Sequence, residues 1–261
     1  MVCDFSKVAF YIFGLPIHWY SLAYIFGILF AMLLTEQFAK KIKSKITKEQ
    51  IESFLNYAII GIIVGGRLGH VLFYEFDDYL ANPIEILKIW QGGMSFYGGF
   101  LGVSAAFYIF CKKNKINLWN FIDLWVVGIP IGLFFGRIAN LINGELLGKP
   151  SDQISWYIIF IHDGIKRHPS QIYEAIMEGI VLFCVMIFSF HKGAYKIPKK
   201  LSGIFCSGYG LARFLCEFFR EPDSVFSYQL YFNTGLNLNQ YFSIIAFLVG
   251  LFLIRRKHVN N

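Results

Sequence analysis

The chain has 261 residues, of which 56% are hydrophobic, 19% aromatic and only 16% charged. Soluble domains carry about 45–50% apolar and about 25% charged residues. With a mean hydropathy of +0.52, the excess excludes disorder, collagen, coiled coil and a disulfide scaffold, and leaves an integral membrane protein. A net charge of +7 could suit nucleic acid, but the placement of the basic residues decides otherwise.

In chain order, the start MVCDFSKVAF has no basic n-region, and no small-residue cleavage site follows, so a removed signal peptide is not expected. A bilayer-spanning helix needs about 20 mostly apolar residues. Seven are predicted, over 19–39, 51–74, 94–112, 120–143, 169–190, 201–221 and 238–256, giving an all-α, polytopic, single-domain membrane protein over 1–261. The first span carries Tyr20 early. The second, GIIVGGRLGHVLFY, combines a packing seam of Gly61, Gly65 and Gly69 with Arg67 and His70 elsewhere on the helix. An acidic cluster follows: Glu75, Asp77, Asp78 and Glu85. The third span opens GGMSFYGGFLG, whose glycines let backbone approach backbone or lipid closely; Tyr97 there is either an interfacial aromatic or a participant.

The fourth span begins with Asp123, read as structural, and continues through a seam of Gly128, Gly132 and Gly136. It ends in Arg137, Asn140, Asn143, Gly144 and Glu145. An arginine beside two asparagines is either a satisfied polar knot or a phosphate cradle, since guanidinium offers a bidentate fork and asparagine an amide donor. Residues 144–168 form a small outer segment. The fifth span opens RHPSQIYEAIMEG, with Pro169 in its first turn, Gln171, Glu174 and Glu178 on one face, and His168 at the entrance as general base or cap. Glutamates inside a span usually partner a cation, and a buried pair with Arg137 or Arg213 is their expected structural role. On the sixth span Tyr209, Arg213, Glu217 and Arg220 fall in a stripe of about 80°. There two arginines share one carboxylate, so a cationic surplus is expected, with Asp223 holding Arg220. The seventh, YFSIIAFLVGLFLI, is the most apolar. Cys3, Cys111, Cys184, Cys206 and Cys216 form no CxxC pair and read as small buried hydrophobes.

Fifteen of the 24 basic residues lie in loops 40–50, 111–119 and 191–200 and in the tail with Arg255, Arg256 and Lys257. The alternate segments hold only Lys7, Lys88, Lys149, Lys166 and Arg167. The positive-inside rule therefore puts the N-terminus outside and the C-terminus in the cytoplasm. Four arginines remain inside spans: Arg67, Arg137, Arg213 and Arg220. Each costs roughly 2.5–3.5 kcal/mol at mid-bilayer, and a purely structural account of all four together is poor. The outward-running second, fourth and sixth spans carry them mostly late. The inward-running spans carry their polar residues early, so the polar groups converge on the outer half of the membrane.

GGRLGHVLFY, GGMSFYGGFLG, GRIANLINGELLG, RHPSQIYEAIMEG and GYGLARFLCEFFREPD, in that order, resemble the prolipoprotein diacylglyceryl transferase family over nearly the whole chain. The resemblance implies a multi-pass enzyme of the bacterial inner membrane. Its implied substrates are phosphatidylglycerol and the signal peptide of a preprolipoprotein with its lipobox cysteine. The implied reaction forms a thioether and releases glycerol 1-phosphate, the first step of lipoprotein maturation, with no cofactor, metal or nucleic acid. Carried over residue by residue, it makes Arg137 and Arg213 catalytic, with Glu145 and Tyr97 as further candidates. Asn140, Asn143, Gly148, Tyr20, Tyr209 and Glu217 match other functional positions, and Arg67 and Arg220 join them as substrate-binding candidates. Where the family's GGMSFHGG has histidine, this chain has Tyr97. A phenol with a pKa near 10 is a poor base, so Tyr97 is expected to orient substrates. Two other classes compete: a transporter or flippase using the arginines in transit, and a scaffold whose polar network only fixes helix packing. Polar groups confined to one leaflet, without an inverted repeat, argue against alternating access.

Overall fold

A computed structural model describes residues 2–73, 75–89, 92–152, 155–222 and 225–255. Asp223, Arg256 and Lys257 lie outside these, as do the side chains of Asp77 and Asp78. The chain divides into two compact units, residues 1–35 with 123–261, and residues 36–122.

The larger unit opens with a short strand, β1 (Val2–Cys3), and a hairpin of β2 (Val8–Ile12) and β3 (Leu15–His18). Phe13 and Gly14 make its two-residue turn, both at positive φ (49° and 80°), the handedness that matches strand twist. The first long helix, α1 (Trp19–Lys41), follows directly. Gly27 and Ala31 of α1 lie against Gly132 and Gly128: a Cβ added at Gly27 would stand 2.6 Å from Gly132 Cα. Those partners mark the expected fourth-span seam, although nothing lies within 4 Å of a Cβ at Gly136. The fourth span itself is two helices, α5 (Leu118–Trp125) and α6 (Ile129–Asn143). Pro130 has no N–H to donate and crowds the preceding turn, which ends a continuous helix there.

Among its described residues, segment 144–168 holds no helix. β4 (Ile158–Phe160) pairs parallel with β1 and antiparallel with β5 (Lys166–Arg167), over a core of Cys3, Leu141, Ile158 and Phe160. The fifth span is continuous over Ser170–His191 but changes pitch. It passes from α7 (Ser170–Glu174) through a π-turn (Ala175–Val181) into α8 (Leu182–His191). After it, α9 (Lys200–Cys216) ends five residues short of the expected 221. A 3-10 turn (Glu217–Phe219) replaces the last turn, and Arg220 is extended. A shorter helix, α10 (Val225–Thr234), and the final long helix, α11 (Leu238–Arg255), complete this unit.

In the smaller unit α2 (Lys48–Phe73) packs along α4 (Phe96–Asn114), joined by α3 (Phe76–Ala81) and a 3-10 turn (Pro83–Leu87). Gly61, Gly65 and Gly69 form the expected seam against Gly98 and Gly102; a Cβ at Gly102 would sit 1.9 Å from Gly61 O. Phe54, Phe107, Phe110 and Phe121 cluster below it.

Large apolar side chains cover the outward faces, among them Ile25, Leu33, Ile60, Val64, Phe188 and Leu248. Among the described residues four helices are long and apolar enough to cross a membrane: Trp19–Lys41, Lys48–Phe73, Ser170–His191 and Leu238–Arg255. The α5–α6 pair makes a fifth if it is one broken span. Of the other expected spans, α4 ends in Lys112, Lys113 and Asn114, and α9 has only 17 residues with glycines, serines and Arg213 among them. All five cysteines are free; Cys3, Cys111 and Cys216 are buried as expected, whereas Cys184 is exposed. Asp123 is structural: its Oδ1 accepts from Ser202 N at 2.8 Å at the start of α9.

Candidate active site

The site begins with two glutamates one turn apart. Glu174 closes α7 and Glu178 lies in the π-turn, and both are completely buried. Bare carboxylates cannot remain there, since burying an ion costs several kcal/mol unless it is paired. From α6, Arg137 donates Nε and Nη2 to Glu178 Oε2 at 3.1 and 2.8 Å, while its Nη1 lies 3.2 Å from Glu174 Oε2. From α9, Arg213 Nη1 donates to Glu174 Oε1 and approaches Glu178 Oε1 at 3.5 Å. Its Nη2 lies 2.5 Å from Glu217 Oε2, the expected i,i+4 pair. Arg220 Nη1 donates to Glu174 Oε1 at 3.2 Å.

This arrangement corrects two expectations. The cationic surplus is absent from the described cluster, because Glu174 and Glu178 bring the count to three arginines and three glutamates. Arg220 is also off the α9 stripe: the backbone has left the helix, and Arg220 pairs in a β-bridge with Gly148. Its described carboxylate is Glu174, and Asp223, its expected partner, lies outside the described residues. The cluster still presents a cation. The side chain of Arg137 is 14% exposed, whereas those of Glu174 and Glu178 are fully covered.

At the end of α6 the expected helix stop is present. Gly144 takes the left-handed conformation (φ 65°), and Glu145 N donates to Asn140 O at 3.0 Å. Asn140 is buried, Asn143 Nδ2 donates to Glu145 Oε1 at 3.3 Å, and the Glu145 side chain is exposed. Gln171 Nε2 holds the Glu145 carbonyl at 2.7 Å. Gly148 is buried where only glycine fits, since a Cβ would come within 2.0 Å of His168 O. Its carbonyl accepts from Arg167 Nη1 at 2.9 Å. Arg167, read from sequence as one more loop charge, is buried. It lies 2.5 Å from Asp163 Oδ2 and 2.6 Å from Glu221 Oε2, and Tyr228 in turn donates to Glu221.

His168 is not the cap of α7, a place taken by Pro169. Its Nδ1 lies 3.4 Å from Tyr173 OH and its ring rests on Phe219. Burial, and then the Lys149 charge, hold its pKa below the usual 6.5. Tyr20 is on the surface, with its hydroxyl 3.3 Å from that of Tyr24. Tyr209 is half-buried and stacks on Phe205. Asn237 and Asn239 are not among the residues expected at the site, yet their Nδ2 groups donate to Glu217 Oε1 at 3.1 and 3.0 Å. Nothing local to the Asn-Leu-Asn run signals that contact.

In the smaller unit Arg67 is buried and directed at main-chain carbonyls. It donates to Glu85 O (2.6 Å), Ile86 O (2.9 Å), Gly92 O (2.6 Å) and Gly93 O (3.2 Å), with Tyr79 beneath its guanidinium. It holds the segment between α2 and α4. Tyr97 is 47% exposed in the first turn of α4, its ring edge-on to Phe96.

An apolar helical chain with guanidinium and carboxylate groups interlocked among its helices is a membrane protein with a buried polar centre. A family model described as prolipoprotein diacylglyceryl transferase matches residues 7–256. Proteins named phosphatidylglycerol–prolipoprotein diacylglyceryl transferase are similar over almost their full length. That of Rickettsia bellii (strain OSU 85-389) is 45% identical over 252 residues, 96% of this chain and 95% of the relative. Those of Rickettsia felis and Rickettsia conorii are each 46% identical over 254 residues, 96% of both chains. The chain belongs to the prolipoprotein diacylglyceryl transferase family.

Proposed function

We propose that the chain transfers the diacylglyceryl group of phosphatidylglycerol to the lipobox cysteine of a preprolipoprotein signal peptide. The thiolate attacks the glyceryl carbon bearing the phosphodiester. A C–S bond forms, the C–O bond breaks with its electron pair leaving on oxygen, and glycerol 1-phosphate departs with one more negative charge. Such a step needs a thiolate and cations that receive the departing charge.

The observation that carries this reading is that the solvent-accessible edge of the cluster is Arg137, while its carboxylates are covered. Arg137 and Arg213 are assigned to the phosphate, preset by Glu174, Glu178 and Glu217 so that little reorganisation accompanies the reaction. Asn140 and Asn143 supply amide donors, Gly148 and Arg220 shape the outer wall, and Tyr20 and Tyr209 contact the lipid. Glu145, the exposed carboxylate at the end of α6, is the candidate for taking the thiol proton. Tyr97 orients substrate. Arg67 acts indirectly, by fixing its loop. The whole chain works as one multi-pass domain of the bacterial inner membrane. Seven helical segments cross it, with the N-terminus and residues 144–168 on the periplasmic side and the C-terminus in the cytoplasm, as the basic loops favour.

The test is purified protein with phosphatidylglycerol and a lipobox peptide, both products being followed by mass spectrometry. Glycerol phosphate release with a peptide mass gain of one diacylglyceryl group is expected from wild type and not from Arg137→Ala. No release from folded wild type in lipid and in detergent would remove the transferase reading and bring a flippase forward.

A further inference from the structure

Glu217 is the carboxylate of the cluster with the most unusual surroundings. It is fully buried, and its two oxygens are treated differently: Oε2 faces Arg213 Nη2 at 2.5 Å, while Oε1 accepts from the side-chain amides of Asn237 and Asn239. Two N–H donors thus converge on one oxygen of this carboxylate. They fix the rotation of the carboxyl group, and so the direction from which Arg213 is held.

Asn237 is itself fixed. Its Oδ1 accepts from Gln240 N at 3.0 Å, and its own N–H donates to Gln240 Oε1 at 3.0 Å, a reciprocal box at the start of α11. One amide therefore performs two separable tasks, the oxygen capping α11 and the nitrogen holding Glu217. We infer that Asn237 and Asn239 are positioning residues that hold Glu217 in one orientation, and through it set Arg213 for the departing phosphate. This rests on the transferase reading for its effect on rate, but not for its effect on Glu217. The charged groups facing this point among the described residues are Glu217 on its 3-10 turn, Arg213 on α9, Glu174 and Glu178 on the fifth helix, and Arg220 beyond the turn. Among the described residues Arg213 is shared by three carboxylates, and Glu217 is the one whose direction the two asparagines set.

The two tasks of Asn237 can be divided by mutation. Asn237→Ser keeps an oxygen that caps a helix but lacks a reaching amide donor, and Asn239→Ala removes the second donor. In the purified Asn237→Ser/Asn239→Ala protein, kcat is expected to fall about tenfold or more, the scale of a lost hydrogen bond to a charged group. KM should change less than about twofold, because a positioning defect acts on the reacting complex. The infrared difference between this variant and wild type should show a shifted carboxylate stretch, because the two amide donors to Glu217 Oε1 are gone. The shift should disappear when both proteins also carry Glu217→Gln. Since the infrared arm needs no turnover, an inactive wild type would remove the transferase reading and leave this one decided by the spectra. Wild-type kcat and wild-type spectra in the folded double variant would overturn it. So would activity falling only in proportion to folded protein. If the double variant fails to fold, Asn239→Ala alone leaves the helix cap untouched, and it should show a smaller fall in kcat and a smaller shift of the same carboxylate stretch; wild-type behaviour there would overturn the inference equally.

Discussion

Arg137 joins two roles that a single substitution would confuse. Arg137→Ala removes the part-exposed cation, and it also strips Glu178 Oε2 and Glu174 Oε2 of their described partner in a buried setting. Stranding a buried charge costs about 3–5 kcal/mol, so inactivity could reflect unfolding alone. Adding Glu178→Gln removes the stranded charge. Arg137→Ala/Glu178→Gln is therefore expected to recover most of the thermal midpoint lost by Arg137→Ala while remaining inactive. Recovery of activity with stability would show that Arg137 is structural. His168 gives the residue-scale pH dependence. Its pKa is lowered by burial and then by Lys149, so the folded state favours the neutral ring. Its contribution is complete above the unfolded value of 6.5 and is lost as pH falls through the lower folded value. Thermal midpoints of wild type should thus decline below about pH 6.5, and His168→Phe, which keeps a ring against Phe219, should decline less. Parallel curves would place the acid sensitivity elsewhere.

At the scale of elements, the chain announces contacts between helices better than the ends of helices. Glycines repeating every fourth residue encode one face of a helix, so the Gly61–Gly65–Gly69 seam was legible, and Gly98 and Gly102 answer it across the pair. The last turn of the sixth span was not legible. Spacing arithmetic assumes that the helix continues to Arg220. The backbone leaves it at Glu217, where Asn237 and Asn239 hold the carboxylate and Gly148 pairs with Arg220. The hairpin at Val8–His18 was hidden for another reason: its apolar run reads like the entry to a span. The seam yields a paired test. Gly102→Ala drives a methyl to within 1.9 Å of Gly61 O, backbone against backbone, and overpacking of this kind typically costs about 1–3 kcal/mol. Gly136→Ala meets nothing within 4 Å and removes a flexible residue from a helix, worth roughly 0.5–1 kcal/mol in the opposite direction. Thermal inactivation in detergent should shift down for the first and not for the second. Equal shifts would mean that the α2–α4 contact is looser than its geometry.

For the whole molecule, the sequence located the four embedded arginines and the pairing of the fifth-span glutamates with Arg137 or Arg213, which the contacts of Glu174 and Glu178 bear out; that Arg220 joins them was not legible, because Arg220 and Glu174 are 46 residues apart and no local pattern joins them. Orientation has the opposite character. It is written in loop charge, and helix packing within a single chain does not carry it. The rule counts lysine and arginine near span ends, and loop 40–50 alone has five lysines, against Lys7 as the one basic residue before the first span. The two sites that test it are both accessible: Phe13 is fully exposed at the hairpin turn, and Lys45 is exposed in the basic loop. In a background with the five native cysteines replaced, Phe13→Cys should react with a membrane-impermeant maleimide in cells whose outer membrane alone has been opened. Lys45→Cys should react only after the inner membrane is permeabilised. The opposite pattern would invert the chain and turn the Arg137 edge toward the cytoplasm. The lipobox cysteine would then have to be met before export, and the proposed periplasmic-side reaction would fail even if transfer in detergent were intact.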